Sequence, residues 1–371
     1  MASRLPGMSW MDDEPVRGSY PDPALLGLSG LDRMKAGFRS QMPAPPIHHL
    51  FGLTPVSAGA ASVTFSMPAS PWLQSSAGVF FAGTSALVAD APLGGAVMAP
   101  LGPGKVVVTS DLSLNYLRPI DPSSSHLIAR ARPIEVGNRV GLAEGLIEDA
   151  HGKLVAHATT RCFVVSMDVP PLEGELPTVE LPTYDTPDPY QRPLPSGSVL
   201  SDEWTRFTWN EILAMQQREE IPAPPFVRLF GMGDPEGGNG KFSTTMRATP
   251  WLTSPAATIY GGVLAYFADC AMAGAFASIL DKNQIVASLD LKVQFVRPAW
   301  ADGKKLRCEA RVVHAGKTFA VAQAEIVHEN GKTIALATSS ATIISGRSWA
   351  SFAVVDEAVA PSEPGPQEQP T

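Results

Sequence analysis

Charge is scarce in this chain. Lys, Arg, Asp and Glu make up 17% of the 371 residues, against a hydrophobic share of 44%. The balance is acidic, with a net charge of −8, and no run of Lys and Arg interrupts it. Phosphate backbones are gripped by clustered cations, so no nucleic-acid partner is expected. Cysteine is nearly missing: Cys162, Cys270 and Cys308 are too few and too scattered for a disulfide framework or a zinc site. That predicts a reduced, intracellular setting. No stretch approaches the ~18 apolar residues that read as a membrane span. Asp12, Asp13 and Glu14 arrive too early for the apolar core of a secretory signal, so the reading is cytoplasmic. Walker and Rossmann glycine loops are missing, as is a Gly-x-Ser-x-Gly elbow. The seven histidines show no metal spacing, so no metal or redox cofactor is expected.

What is present is a repeat. Pro71-Trp72-Leu73 leads through Phe81-Ala82-Gly83 to Asp90 and Gly95, and the same pattern recurs 179 positions later. There it reads Pro250-Trp251-Leu252, then Tyr260-Gly261-Gly262, Asp269 and Gly274. From 44 to 165 the two halves align with essentially no gaps, which marks an internal duplication.

Each half follows one order. A short amphipathic helix is expected over 28–42, with its counterpart at 210–217. Alternating strands follow at 61–67 and 241–246, then helices at about 81–97 and 260–278. These two are rich in Ala and Gly with almost no charge, so they should be buried nearly all round. The remaining strands of the first half are placed at 106–117, 126–136, 139–148 and 153–165. Those of the second are placed at 285–296, 305–313, 318–328 and 332–344. A long buried helix ahead of a run of antiparallel strands predicts an α+β fold in which the sheet wraps the helix. The expected division is an N-terminal extension with a short helix (1–43), a first domain (44–166) and a Pro-rich linker (167–208). A second domain (209–346) and a disordered tail (347–371) complete it. Residues 1 to about 24 read as loosely ordered. The linker, with eight prolines between 169 and 195, reads as extended.

An aromatic residue, a Gly pair, an Asp nine positions after the aromatic, and a strand ending in Arg118-Pro119 or Arg297-Pro298 together resemble the hotdog fold. The resemblance is to phenylacetate-type (PaaI-like) acyl-CoA thioesterases and covers about 45–166 and 224–345. It implies two hotdog domains paired as a pseudo-twofold dimer. It also implies hydrolysis of a fatty or aromatic acyl-CoA, and possible further assembly of such chains. The family's first motif position is usually His; here it is Phe81 and Tyr260. Its first Gly is Ala82 in one half and Gly261 in the other. A basic residue at the start of one strand often meets coenzyme A phosphates in that family, which points to Arg139 and Lys317.

Thioester hydrolysis needs a polarised carbonyl and an activated water or nucleophile. A buried helix N-terminus offers unpaired N–H groups and a positive dipole end, suited to an oxyanion. Ala82 and Gly83 stand at one such start, Gly261 and Gly262 at the other. Asp90 and Asp269 supply carboxylates as base or nucleophile. Within one repeat the helix start and the Asp lie about 10–12 Å apart, too far to serve one carbonyl. The expectation is therefore two crossed sites: Asp90 with Gly261 and Gly262, and Asp269 with Ala82 and Gly83. Structural readings stand beside these: a hydrogen-bonded core carboxylate, glycines that allow close packing, Trp72 and Trp251 as core or interface, and Cys270 as core. Two rival functions remain open. A hotdog hydratase would carry a His five positions after the Asp, where this chain has Gly95 and Gly274. A non-catalytic acyl-CoA binder is the other.

Overall fold

The computed structural model describes residues 10–39, 41–170, 172, 179, 182–197, 206–282 and 284–346. The expected tail, 347–371, lies outside the described residues. In chain order the helices are α1 (Trp10–Asp13), α2 (Gly30–Phe38), α3 (Pro46–Phe51), α4 (Thr84–Met98), α5 (Trp209–Gln217), α6 (Pro225–Leu229) and α7 (Gly261–Ala277). Strands β1 (Thr54–Ala58), β2 (Val63–Pro68), β3 (Lys105–Tyr116), β4 (His126–Val136), β5 (Val140–Asp149) and β6 (Leu154–Ser166) belong to the first half. The second half holds β7 (Met232–Gly238), β8 (Lys241–Arg247), β9 (Gln284–Ser288), β10 (Asp290–Phe295), β11 (Lys305–Ala315), β12 (Phe319–His328) and β13 (Thr333–Ser345).

All thirteen strands form one antiparallel sheet in the order β1-β2-β4-β5-β6-β3-β10-β13-β12-β11-β8-β7, with β9 also on β13. The second half reverses the first, so the halves meet at the β3–β10 ladder. There Ser113 pairs with Lys292, flanked by Leu114–Leu291 and Leu112–Val293. Ser113 and Lys292 are equivalent positions of the repeat, so the pseudo-twofold axis passes between them. Both halves break their long strand at one equivalent place. The register of β3 against β6 shifts between Thr109 and Asp111, and Leu289 separates β9 from β10. Each half is thus a hotdog, one helix against a curved sheet. Strands β1 and β7 at the two edges are absent from the sequence reading, because Pro55, Pro235 and the glycines near 237 weaken any alternating pattern.

Both long helices are buried as their composition requires. Along α7 every residue except Gly261 and Ala273 is buried, and along α4 every residue except Ala91, Gly94 and Met98. They pack on each other and on opposite halves of the sheet. Neither helix has a side-chain cap at its N-terminus, so its first N–H groups need partners from elsewhere.

Residues 10–24 are not the loose segment expected from their composition. Trp10 packs against Trp251, with ring centroids 5.2 Å apart, and its Nε1–H donates to the Arg228 carbonyl at 2.8 Å. Arg17 is buried and paired with Asp188 at 2.7 Å. The described part of the linker is also anchored. Its Arg192 carbonyl accepts from Trp72 Nε1 at 2.7 Å, and its guanidinium donates to Glu14 at 2.6 Å. This described part includes a short 3-10 helix at Pro189–Gln191, and Pro-rich composition said nothing of these long-range anchors.

Two glycines test this packing with opposite signs. A Cβ on Gly30 would lie 1.9 Å from the Met98 carbonyl oxygen, where α2 starts against the end of α4. Gly94, inside α4, has nothing within 4 Å of that position. Gly30→Ala should lower unfolding free energy by about 1–3 kcal/mol through overpacking. Gly94→Ala should raise it by about 1 kcal/mol through helix propensity. Urea unfolding of the two variants beside wild type checks both.

Candidate active site

The two acids and the two helix starts come together across the pseudo-twofold. The Gly83 N–H donates to Asp269 Oδ2 at 2.8 Å, and the Gly262 N–H donates to Asp90 Oδ2 at 3.0 Å. Each carboxylate therefore caps the other repeat's helix. The glycines are sterically required. A Cβ on Gly83 would stand 2.8 Å from Asp269 Cβ, and one on Gly261 would stand 2.8 Å from Asp90 Oδ2.

Both acids are deeply buried, Asp269 at 1% exposure and Asp90 at 7%. Burial raises each carboxyl to about 6, partly opposed by the N–H groups that favour the charged form. The opposing donors differ. Asp90 faces both Gly262 and Gly261, whereas Asp269 is held by Gly83 alone. Among the described residues, no acceptor meets the Ala82 N–H. The sequence reading gave Gly83 and Gly262 as oxyanion donors; their N–H groups are instead engaged with the carboxylates. Of the four N–H groups expected as oxyanion donors, that of Ala82 meets no acceptor among the described residues.

Ala82 lines a cavity of about 830 Å³, within the size range of small-molecule sites. Its walls come from both halves: Phe81, Ala82 and Ser85 at the start of α4, and Cys270, Ala273, Gly274 and Ala277 along α7. Trp209 and Leu213 of α5, with Met232 and Phe242, add apolar lining, and Gln216, Gln217, Glu219 and Glu220 add polar lining from the same segment. Ser288 at the break between β9 and β10 also faces it. Cys270 belongs to the buried core, as expected, and also lines the cavity. Burial and then the Asp269 charge push its thiol well above the usual range, which leaves it unsuited as a nucleophile.

The aromatic residues in the family's His position do different things. Phe81 lies on the cavity wall, edge-on to Phe226 with centroids 4.9 Å apart. The Tyr260 hydroxyl instead accepts from the Ala91 N–H at 2.7 Å and donates to the Leu87 carbonyl at 3.0 Å. Those are the two groups that helical pairing would join directly. One residue farther along α4 is Pro92, which brings no N–H of its own.

The cations are placed less centrally. Arg139 and Lys317 are exposed, each just before a strand, and neither lines the cavity. Its lining includes Arg118 and Arg228. Arg118 donates to the Leu154 carbonyl at 3.0 Å, and Arg297 makes the equivalent bond to Thr333 at 2.9 Å. These two arginines tie strand ends together. Sequence reasoning missed Ser85 and Tyr116, whose buried hydroxyls have no hydrogen-bond partner. Only the site geometry singles them out. Among the described residues no group of three or more His, Cys, Asp or Glu side chains could hold a metal ion.

The raised carboxyls predict a stability effect with a definite sign. Burial moves the Asp90 carboxyl from its ordinary 3.8 up to about 6, so between those values the folded state binds more protons than the unfolded. Stability then falls as pH rises through that window, by roughly 3 kcal/mol in all. Asp90→Asn keeps an acceptor for Gly262 and carries no charge. It should be more stable than wild type at pH 8 and close to it at pH 4, as measured by denaturant unfolding at both values. An equal difference at the two pH values would contradict the charged burial.

Residues 77–156 and 256–335 each match the family model of the thioesterase superfamily. A search among curated proteins gives no match. Solved structures similar in fold include an acyl-CoA thioesterase II, TesB2, from Mycobacterium marinum, at 13% identity and a TM-score of 0.46. That match covers 85% of this chain and 99% of the other. The tesB protein of Mycobacterium avium subs paratuberculosis gives 13% identity and a TM-score of 0.47, covering 81% and 98%. The E. coli PaaI protein from the phenylacetic acid degradation operon gives 27% identity and a TM-score of 0.32, covering 39% of this chain and 98% of that one. With the family match falling once in each repeat, over the helix and the strands after it, the chain carries two thioesterase-superfamily domains in tandem, each a hotdog.

Proposed function

We propose that this protein hydrolyses an acyl-CoA to a free acid and coenzyme A, and that the reaction takes place where Asp269 meets the start of α4. One observation carries this reading. An unpaired helix-start N–H, at Ala82 on the wall of an 830 Å³ cavity, lies one residue from the N–H that holds the other repeat's buried carboxylate. The apolar lining from Trp209, Leu213, Phe242 and the α7 residues Ala273 and Ala277 suits the acyl group. Arg139 and Lys317, exposed beside the turns, are suited to phosphate contacts farther out on coenzyme A.

In this scheme the thioester carbonyl accepts from the Ala82 N–H, with the α4 dipole behind it. Asp269 takes a proton from water as the water oxygen bonds to the carbonyl carbon. The charge that develops on the carbonyl oxygen is stabilised where it forms. As the C–S bond breaks, the sulfur leaves with the electron pair and takes up the proton that Asp269 removed from the water. Gly83 keeps the carboxylate aimed, and its N–H favours the charged form that accepts the proton.

Free-thiol release from short, long and aromatic acyl-CoAs tests the proposal. Asp269→Asn should lower kcat about 10²–10⁴-fold, the range expected on removing a general base. With wild type the rate should rise with pH through about 6, because the carboxyl must be ionised to accept a proton. Thiol release that is unaffected in Asp269→Asn would end the assignment. About half of the wild-type rate kept in Asp269→Asn, with the full loss appearing only when Asp90→Asn is added, would make both crossed sites productive. Tight acyl-CoA binding without thiol release would favour the non-catalytic binder.

A further inference from the structure

Two hydroxyls in the cavity have no structural task. Ser85 lies in the first turn of α4 with 0% exposure, and its Oγ has no hydrogen-bond partner. Tyr116 ends β3, and its phenol oxygen is likewise buried without a partner. Both residues line the cavity. An unpaired buried hydroxyl is a cost to folding that apolar replacements would avoid. The second repeat makes that replacement: the equivalent positions are Leu264 and Phe295, which belong to the Asp90 side of the pseudo-dimer. The polar versions therefore occur together, on the side where Ala82 has a free N–H.

Placement gives each hydroxyl a distinct reach. Ser85 follows Ala82 by three residues, so its side chain lies over the same face of the helix start. Tyr116 stands close enough to Asp269 for that charge to be the largest electrostatic influence on its phenol, which burial already holds protonated. It thus remains a hydrogen-bond donor at any ordinary pH.

We propose that Ser85 and Tyr116 touch the reactants of the Asp269 site: the Ser85 hydroxyl joins the Ala82 N–H as a second donor to the thioester oxygen, and the Tyr116 hydroxyl holds the water that Asp269 deprotonates. The proposal rests on the hydrolytic reading above and extends it. It makes the chemistry one-sided, since Leu264 and Phe295 offer no donor to a thioester beside Asp90.

The test compares Ser85→Ala, Tyr116→Phe and Thr84→Val with wild type. Thr84 is the control, because its Oγ1 is also buried and unpartnered but does not line the cavity. Thiol release and melting temperature are read for each. The expected result is a kcat about 10–100-fold lower for Ser85→Ala and for Tyr116→Phe. KM should stay within about threefold, and melting temperature should be unchanged or raised, since each change removes an unsatisfied polar atom. Thr84→Val should keep wild-type kcat. Full kcat in both cavity variants would overturn the proposal, as would an equal loss in Thr84→Val. A loss of kcat that follows a loss of melting temperature would overturn it too. If wild type releases thiol from none of the acyl-CoAs, the hydrolytic reading fails separately. The hydroxyls are then tested by binding of a non-hydrolysable ketone analogue of acyl-CoA. Affinity at least about threefold weaker in Ser85→Ala would support the contact, and equal affinity in all variants would overturn it.

Discussion

The rest of the structure depends on a reciprocal contact in which each repeat's carboxylate receives the first N–H groups of the other repeat's helix. Neither α4 nor α7 has a capping side chain of its own, and neither Asp has a cationic partner among its hydrogen bonds. A helix start buried without acceptors and a carboxylate buried without donors are each unfavourable alone. Set against each other they resolve both problems, at two places related by the pseudo-twofold. The cost that remains is desolvation, and it holds both carboxyls in a range where proton transfer near neutral pH becomes possible.

The continuous sheet fixes that contact. The β3–β10 ladder centres on Ser113 and Lys292, so it sets the axis, and the helices must then cross antiparallel above it. Within this frame the repeats have diverged position by position. Phe81 faces Tyr260 across the symmetry, Ser85 faces Leu264, Tyr116 faces Phe295, and Val227 faces His48. One side has gained space and unpaired hydroxyls, and the other has gained a phenol bonded into the helix ladder.

Much of this was legible in the sequence. The Ala- and Gly-rich helices carrying one acid each could be read as buried, and the offset of 179 tied them into a symmetric pair. The distance along one helix then required crossing, and Asp90 and Asp269 do face the opposite helix starts. What could not be read was which N–H each carboxylate would engage, since Ala82 and Gly83 differ only in direction once the turn is built. The cavity was equally hidden. It forms from segments as distant as Ser85, Trp209 and Ser288, and its orphan hydroxyls look like ordinary Ser and Tyr in the chain. The anchoring of residues 10–24 was misjudged because composition reports local preference, while Trp10 and Arg17 act through partners more than 150 positions away.

The crossed capping also changes what duplication means for this chain. A second copy is ordinarily free to drift once the first performs the task. Here Asp90 secures the first turn of α7, and two turns farther along that same helix stands Asp269. The position of the one acid is inherited from the other through a rigid rod. A repeat that hydrolysed nothing would still be answerable for where the reaction occurs, and neither copy could be discarded as a relic.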